Sequence, residues 1–217
     1  MKTIAPSILA SDLCDLAKHL PELEREAEWL HLDVMDGHYV PNITFGFPVL
    51  NSLRPKTKMF FDVHLMISRP ERYFSRFAEA GSNQITFHPE TASDIQAAIK
   101  AVQALGCKVG LAVNNNIGAE TVFPFLSEID LVLIMGTDAG FGGQSFNEKN
   151  LEKIKSVKEK ILEENSPALI SVDCGVNAQN GKRLLAAGAG ILVAGSAVFK
   201  DGKPAENLRN LKKDFGV

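Results

Sequence analysis

The chain has 217 residues and a formal net charge of −3, with 45% hydrophobic and 23% charged residues. Those proportions exclude a disordered chain, a collagen-like or coiled-coil rod and a small disulfide-stapled domain. The balanced charge, with no run of five like charges, argues against a nucleic-acid partner, and no apolar stretch reaches the roughly 18 residues of a transmembrane helix. The three cysteines (Cys14, Cys107, Cys174) are widely spaced without a Cys-x-x-Cys, and the N-terminus lacks a long apolar signal segment. A reduced, cytoplasmic protein with no membrane partner is expected.

Short apolar runs recur along the chain. The first spans 4–9 and precedes residues 12–27, where Leu13, Leu16, Leu20 and Leu23 follow helical steps of three and four. Runs at 29–35 and 59–66 come next, then a helix over 70–80 that opens on Pro70 and stops before Gly81. The run at 84–87 leads to a helix over 94–105 behind Ser93, ended by Gly106. Runs at 108–113 and 130–135 precede a Lys/Glu-rich helix over 148–162, with Asn147 placed to cap it. The run at 168–172, a helix over 178–187 ended by Gly188, and the run at 191–194 complete the pattern. The runs are nearly continuous hydrophobics, as in strands buried on both faces of a parallel sheet.

Eight strands alternating with about eight helical segments, 217 residues over eight units or about 27 each, predict an α/β fold, a (β/α)₈ TIM barrel. No linker or change of composition divides the chain, so one barrel domain over 1–217 is expected. An open doubly wound sheet fits less well, because no glycine fingerprint follows the first strand.

In a barrel, chemistry gathers at the carboxyl ends of the strands. His31 and Asp33 stand two apart on the second run and point to one side of it. His64 lies near the end of the third run, and Asp173 follows the seventh. Two imidazoles and two carboxylates at one barrel mouth suit a single divalent ion such as Zn²⁺, Fe²⁺, Mn²⁺ or Co²⁺. Against this stands the commoner role of a strand-end histidine, a hydrogen-bonded structural residue. Asp36 and Asp62 read as structural or supporting residues, His19 as a solvated helix residue, and His38 and His88 as structural residues on loops.

Glycine marks a second feature. Gly140-Phe141-Gly142-Gly143-Gln144-Ser145 follows the sixth run, Gly175 the seventh and Gly195-Ser196 the eighth. Glycine lets backbone N–H groups approach an anion, and the start of a short helix after Gly195 adds a positive end. Three such sites at adjacent strand ends point to a bound phosphate, with the Gly140 segment as a lid. Any one alone would be an ordinary turn.

Together, Ala5-Pro6-Ser7-Ile8-Leu9-Ala10, His31-Leu32-Asp33-Val34-Met35-Asp36-Gly37-His38-Tyr39-Val40-Pro41-Asn42, Asp62-Val63-His64-Leu65-Met66, the Gly140–Phe146 loop, Val172-Asp173 and Ala194-Gly195-Ser196 resemble the ribulose-phosphate 3-epimerase family. The resemblance runs from Thr3 to about Phe199. It implies a ribulose-phosphate-binding TIM barrel with one divalent metal, acting on a sugar phosphate in the pentose phosphate pathway. His31, Asp33, His64 and Asp173 then resemble the metal ligands, with Asp33 and Asp173 as the acid/base pair. Ser7, His64, Met35, Met66 and Met135 resemble substrate contacts, and Gly140, Phe141, Gly142, Gly143, Gly175, Gly195 and Ser196 the loop and phosphate site. A homo-oligomer is also implied. An allulose 6-phosphate epimerase and a non-catalytic sugar-phosphate-binding barrel remain as alternative readings.

The sequence departs from the family pattern at three places. Gly136-Thr137-Asp138-Ala139-Gly140 stands where the family reads close to Ser-Val-Asn-Pro-Gly, Cys174 replaces a glycine after Asp173, and Asn114-Asn115 replaces an Asn-Pro step. None of these removes an expected ligand or acid/base residue.

Overall fold

The computed structural model describes residues 2–141 and 143–217. Its eight strands are β1 (Thr3–Pro6), β2 (Trp29–Met35), β3 (Phe60–Met66), β4 (Gln84–Phe87), β5 (Lys108–Val113), β6 (Leu131–Met135), β7 (Leu169–Asp173) and β8 (Ile191–Ala194). All pair in parallel in the order β1-β8-β7-β6-β5-β4-β3-β2. A parallel bridge between Ser7 and His31 joins the two ends. The expected (β/α)₈ barrel is therefore the fold.

Around it lie α1 (Leu16–Leu23), α2 (Phe47–Leu53), α3 (Phe74–Glu79), α4 (Ile95–Ala104), α5 (Asn150–Glu163), α6 (Gly181–Ala187), α7 (Ser196–Phe199) and α8 (Pro204–Phe215). Two helices, α2 and α8, have no counterpart in the sequence reading. The β5–β6 connection contains only short 3₁₀ turns, Ala119–Thr121 and Phe123–Phe125, because Gly118 and Pro124 leave no uninterrupted helical stretch. The first helix is also shorter than expected. Asp12 Oδ1 accepts the Cys14 N–H and holds a turn before it, and Pro21 denies it an interior hydrogen bond. The cap of α4 is Asp94, whose side chain accepts the Ala97 N–H, rather than Ser93.

Alternation along the strands creates two apolar layers. Leu30, Leu32, Phe61, Val63, Leu65, Val109, Val132 and Leu192 join the core formed with the helices, including Leu16, Leu20, Val157 and Leu208. The intervening residues form a separate interior cluster with Ala5, Trp29, Ala112, Leu133, Met135 and Val193. His31, Asp33, Asp62, His64, Thr86 and Asp173 share that inward parity and are buried. Ionisable groups are rarely buried without partners, so this polar interior is where chemistry is expected.

Candidate active site at the carboxyl end of the barrel

The parallel register of β2 and β3 sets His31 beside Asp62 and Asp33 beside His64. His31 donates its Nδ1–H to Asp62 Oδ2 at 2.8 Å, which turns Nε2 toward Asp33 Oδ1 (3.1 Å) and Asp173 Oδ2 (3.8 Å). His64 Nδ1 lies 3.1 Å from the same Asp33 oxygen and 3.7 Å from Asp173 Oδ2. The second oxygen of each carboxylate is occupied elsewhere: Asp33 Oδ2 accepts the Ser7 hydroxyl at 2.6 Å, and Asp173 Oδ1 accepts the Cys174 N–H at 2.7 Å. Four ligand atoms, one from each residue, thus lie within 4.8 Å of one another.

The charges within this cluster are unequal. Burial raises the pKa of Asp33, but His31 and His64 outweigh it and hold the carboxyl well below its ordinary range. Burial and the Asp33 charge push Asp173 up to about 7. Burial opposes a charged His31, yet Asp33 and Asp62 raise it well above the usual imidazole value. His64 is pushed down to about 4, chiefly by burial. Among the described residues, only the two imidazoles pair with Asp33 and Asp173; no Lys or Arg does. A buried pair of carboxylates facing two imidazole nitrogens is a donor set suited to a divalent transition ion, bound through N and O at about 2.0–2.2 Å. The residues present therefore fit such an ion.

Above the cluster opens a cavity of about 430 Å³. Ser7, Asp33, Met35, Met66 and Asp173 line its floor and wall, together with Gly140, Phe141, Gly143, Gly175, Gly195 and Ser196. His31 and His64 sit beneath, fully buried. Met135 is also fully buried, within the interior cluster rather than on the cavity wall. Gly142 lies outside the described residues. Leu9, Ala10, Asn42, Cys174, Val176 and Val193 line the cavity without having been singled out as site residues. Gly175 has φ +75°, and a Cβ there would run into the Phe146 backbone, so the turn after β7 requires glycine.

The departures in the loops have a structural account. Asn115 Nδ2 donates to Asp138 Oδ1 at 2.9 Å, so two of the unusual residues bond to each other. Asn115 Oδ1 accepts from Asn147 and Asn150, Gln144 Nε2 donates to the Asp138 and Phe141 carbonyls, and Asn42 Nδ2 donates to the Gly140 carbonyl. Side-chain bonds anchor the segment where the family pattern has proline. Cys174 adopts φ 72°, a left-handed conformation uncommon outside glycine. Burial and the neighbouring Asp173 raise its thiol well above the ordinary cysteine value, so it adds no charge.

The comparisons with known proteins agree with this geometry. The sequence model of the ribulose-phosphate 3 epimerase family matches residues 3–199. The chain belongs to the ribulose-phosphate 3-epimerase family. It is 39% identical over 216 residues to the ribulose-phosphate 3-epimerase, cytoplasmic isoform, of Oryza sativa subsp. japonica, covering 97% of this chain and 92% of that one. It is 40% identical over 201 residues to the ribulose-phosphate 3-epimerase of Bacillus subtilis, covering 92% of this chain and 93% of that one. Among solved structures, KGPDC from Streptococcus mutans superposes with a TM-score of 0.76 at 16% identity, over 99% of this chain and 97% of that one. At that identity the likeness speaks to the fold alone. Among the described residues of this epimerase-family chain, no helix is long and apolar enough to cross a membrane.

Of the five histidines, sequence reading singled out the two in the cluster. His38 is exposed and His19 half-buried. His88, read as structural, is fully buried with Nε2 2.9 Å from His64 Nε2. Asp62, read as structural or supporting, is the partner of His31.

Proposed function

We propose that this chain interconverts D-ribulose 5-phosphate and D-xylulose 5-phosphate by inverting carbon 3, as a metal-dependent step of the pentose phosphate pathway. The observation that carries this reading is the divided pair of buried carboxylates, Asp33 held ionised and Asp173 pushed up to about 7, on the floor of one cavity. Paired groups driven apart in pKa are how one site provides a base and an acid at neutral pH.

Inversion beside a ketone removes a proton from one face of carbon 3 and returns one to the other. Asp33 takes the proton in one direction while protonated Asp173 delivers one from the opposite face; the roles exchange in reverse. The Ser7 hydroxyl on Asp33 Oδ2 holds the first carboxylate in place, and the Cys174 N–H on Asp173 Oδ1 holds the second. An ion of the Zn²⁺, Fe²⁺, Mn²⁺ or Co²⁺ class held by His31, Asp33, His64 and Asp173 supplies Lewis-acid stabilisation of the charge that develops on the substrate oxygens. Met35 and Met66 cover the site with apolar surface and exclude water from the enediolate. Backbone N–H groups at Gly143, Gly175, Gly195 and Ser196, all of which line the cavity, receive the phosphate. Such a site needs no Lys/Arg patch, in keeping with the net charge of −3.

We further propose that the chain works as one barrel domain over 1–217 in the cytoplasm, assembled as a homo-oligomer. The name of the rice relative as a cytoplasmic isoform supports the location.

The test is an epimerase assay on ribulose 5-phosphate and allulose 6-phosphate with metal analysis of the same sample. Turnover of the pentulose phosphate, lost by about 10²–10⁴-fold in Asp33→Asn and Asp173→Asn, supports the proposal. Turnover only of the hexulose phosphate changes the substrate; binding of either without turnover makes the chain a binding protein. Near-wild-type activity in both variants contradicts the two-carboxylate mechanism.

A further inference from the structure

Through His64 runs a line of four polar contacts, the outer three of which the proposed reaction does not use. Asp33 Oδ1 lies 3.1 Å from His64 Nδ1, and His64 Nε2 lies 2.9 Å from His88 Nε2. His88 Nδ1 lies 3.0 Å from the Tyr39 hydroxyl, which donates to Glu90 Oε1 at 2.7 Å. The line runs across the carboxyl end of the barrel from the fully buried His64 and His88 to the partly exposed Glu90.

Counting protons decides its direction. With one ring proton on each imidazole, His64, His88 and Tyr39 bring three protons to share along the line, while the carboxylates at its two ends bring none. Three protons cannot fill four contacts. Tyr39 already accepts from Asn114 Nδ2 at 3.1 Å, and its own proton goes to Glu90. Burial and the Glu90 carboxylate raise the Tyr39 phenol, so it keeps that proton. His88 must then donate from Nδ1 to the Tyr39 oxygen, which leaves His88 Nε2 bare. A bare His88 Nε2 accepts from His64 Nε2–H, which leaves His64 Nδ1 bare in turn. The contact without a proton is thereby assigned to His64 Nδ1 and Asp33 Oδ1, two lone pairs facing each other inside the four-ligand cluster. A cation would fit that gap.

We propose that Glu90, Tyr39 and His88 are positioning residues: their chain of hydrogen bonds locks His64 in the Nε2–H tautomer and presents Nδ1 to a divalent metal. The proposal rests on the metal-centre reading above. It gives a role to a buried histidine that touches neither cavity nor cluster oxygen. Orienting partners of this kind typically contribute about 10–100-fold to metal affinity.

The experiment measures Zn²⁺ affinity by chelator competition on the full chain, alongside ring-¹⁵N spectra of the Zn²⁺-loaded, histidine-labelled protein. The wild type is expected to show His88 protonated at Nδ1 only. His88→Leu should weaken Zn²⁺ binding by about 10–100-fold. His88→Gln, whose amide oxygen accepts from His64 Nε2, should restore most of the loss, which a purely space-filling role would not predict. Should His88→Leu fail to fold, Tyr39→Phe/Glu90→Leu removes the hydroxyl and the carboxylate 3.6 Å from His88 Nδ1. That double variant should release the His88 tautomer and weaken Zn²⁺ in the same direction. His88 protonated at Nε2 in the wild type, or wild-type affinity in whichever of these variants folds, overturns the proposal. A wild type without measurable Zn²⁺ affinity overturns the metal-centre reading and this inference with it.

Discussion

Asp33 and Asp173 are the same side chain in the same cluster, yet their surroundings drive them apart. Asp33 touches both imidazoles and the Ser7 hydroxyl, whereas Asp173 is dominated by burial and by the Asp33 charge. With a pKa of about 7 Asp173 is protonated below that pH, and a neutral carboxyl is a weaker ligand than a carboxylate. Zn²⁺ affinity should therefore fall as pH drops through neutrality, with protons released on binding from Asp173 and from His31, whose Nε2 also holds a proton the ion must displace. His64, at about 4, stays neutral over the upper part of this range and does not cause the loss. Chelator competition between pH 8 and 5.5 checks this; a flat profile contradicts it. At this scale His31 and Asp33 were legible because residues two apart on a strand share a side. Asp62 was read as structural or supporting and His88 as structural, but which histidine each one touches was not legible, because those contacts depend on strand register and on a loop folding back.

The connections after the strands, more than the helices, carry the unusual features. The Gly136–Gly140 segment lacks the family's proline, and Asn115–Asp138 anchors it to the loop after β5. A hydrogen bond contributes about 0.5–1.5 kcal/mol. Asp138→Ala should therefore raise KM for ribulose 5-phosphate by roughly two- to tenfold with less effect on kcat, as steady-state kinetics will read. An unchanged KM would mean that the anchor does not hold the loop over the substrate. Neither departure looked related to the other in sequence, since they are 23 residues apart and meet only where adjacent strands end. Apart from the first run, where β1 ends at Pro6 and Ile8–Ala10 is a 3₁₀ turn, strands were legible nearly to the residue because buried parallel strands are continuous apolar runs. Helix α2 was not, because it is seven residues long, starts with Phe47-Pro48 and shows little periodicity.

Across the whole molecule, two apolar layers enclose one polar heart, and close packing limits what the interior accepts. Gly110, on β5, faces Thr86 on β4; a Cβ at position 110 would collide with the Thr86 hydroxyl and methyl. Gly110→Ala should destabilise the fold by about 1–3 kcal/mol in urea unfolding, and adding Thr86→Ala should recover part of it. Simple additivity of the two substitutions would contradict that clash. The eightfold strand rhythm, the barrel and the strand-end residues His31, Asp33, His64 and Asp173 follow from the sequence itself, because burial on both faces and alternation leave their marks on local order. Tertiary structure alone decided the rest: which carboxylate is ionised, that Asp62 orients His31, that His88 reaches His64, and that Asn115 finds Asp138. Those outcomes come from distances and desolvation between residues remote in sequence, which no local pattern encodes.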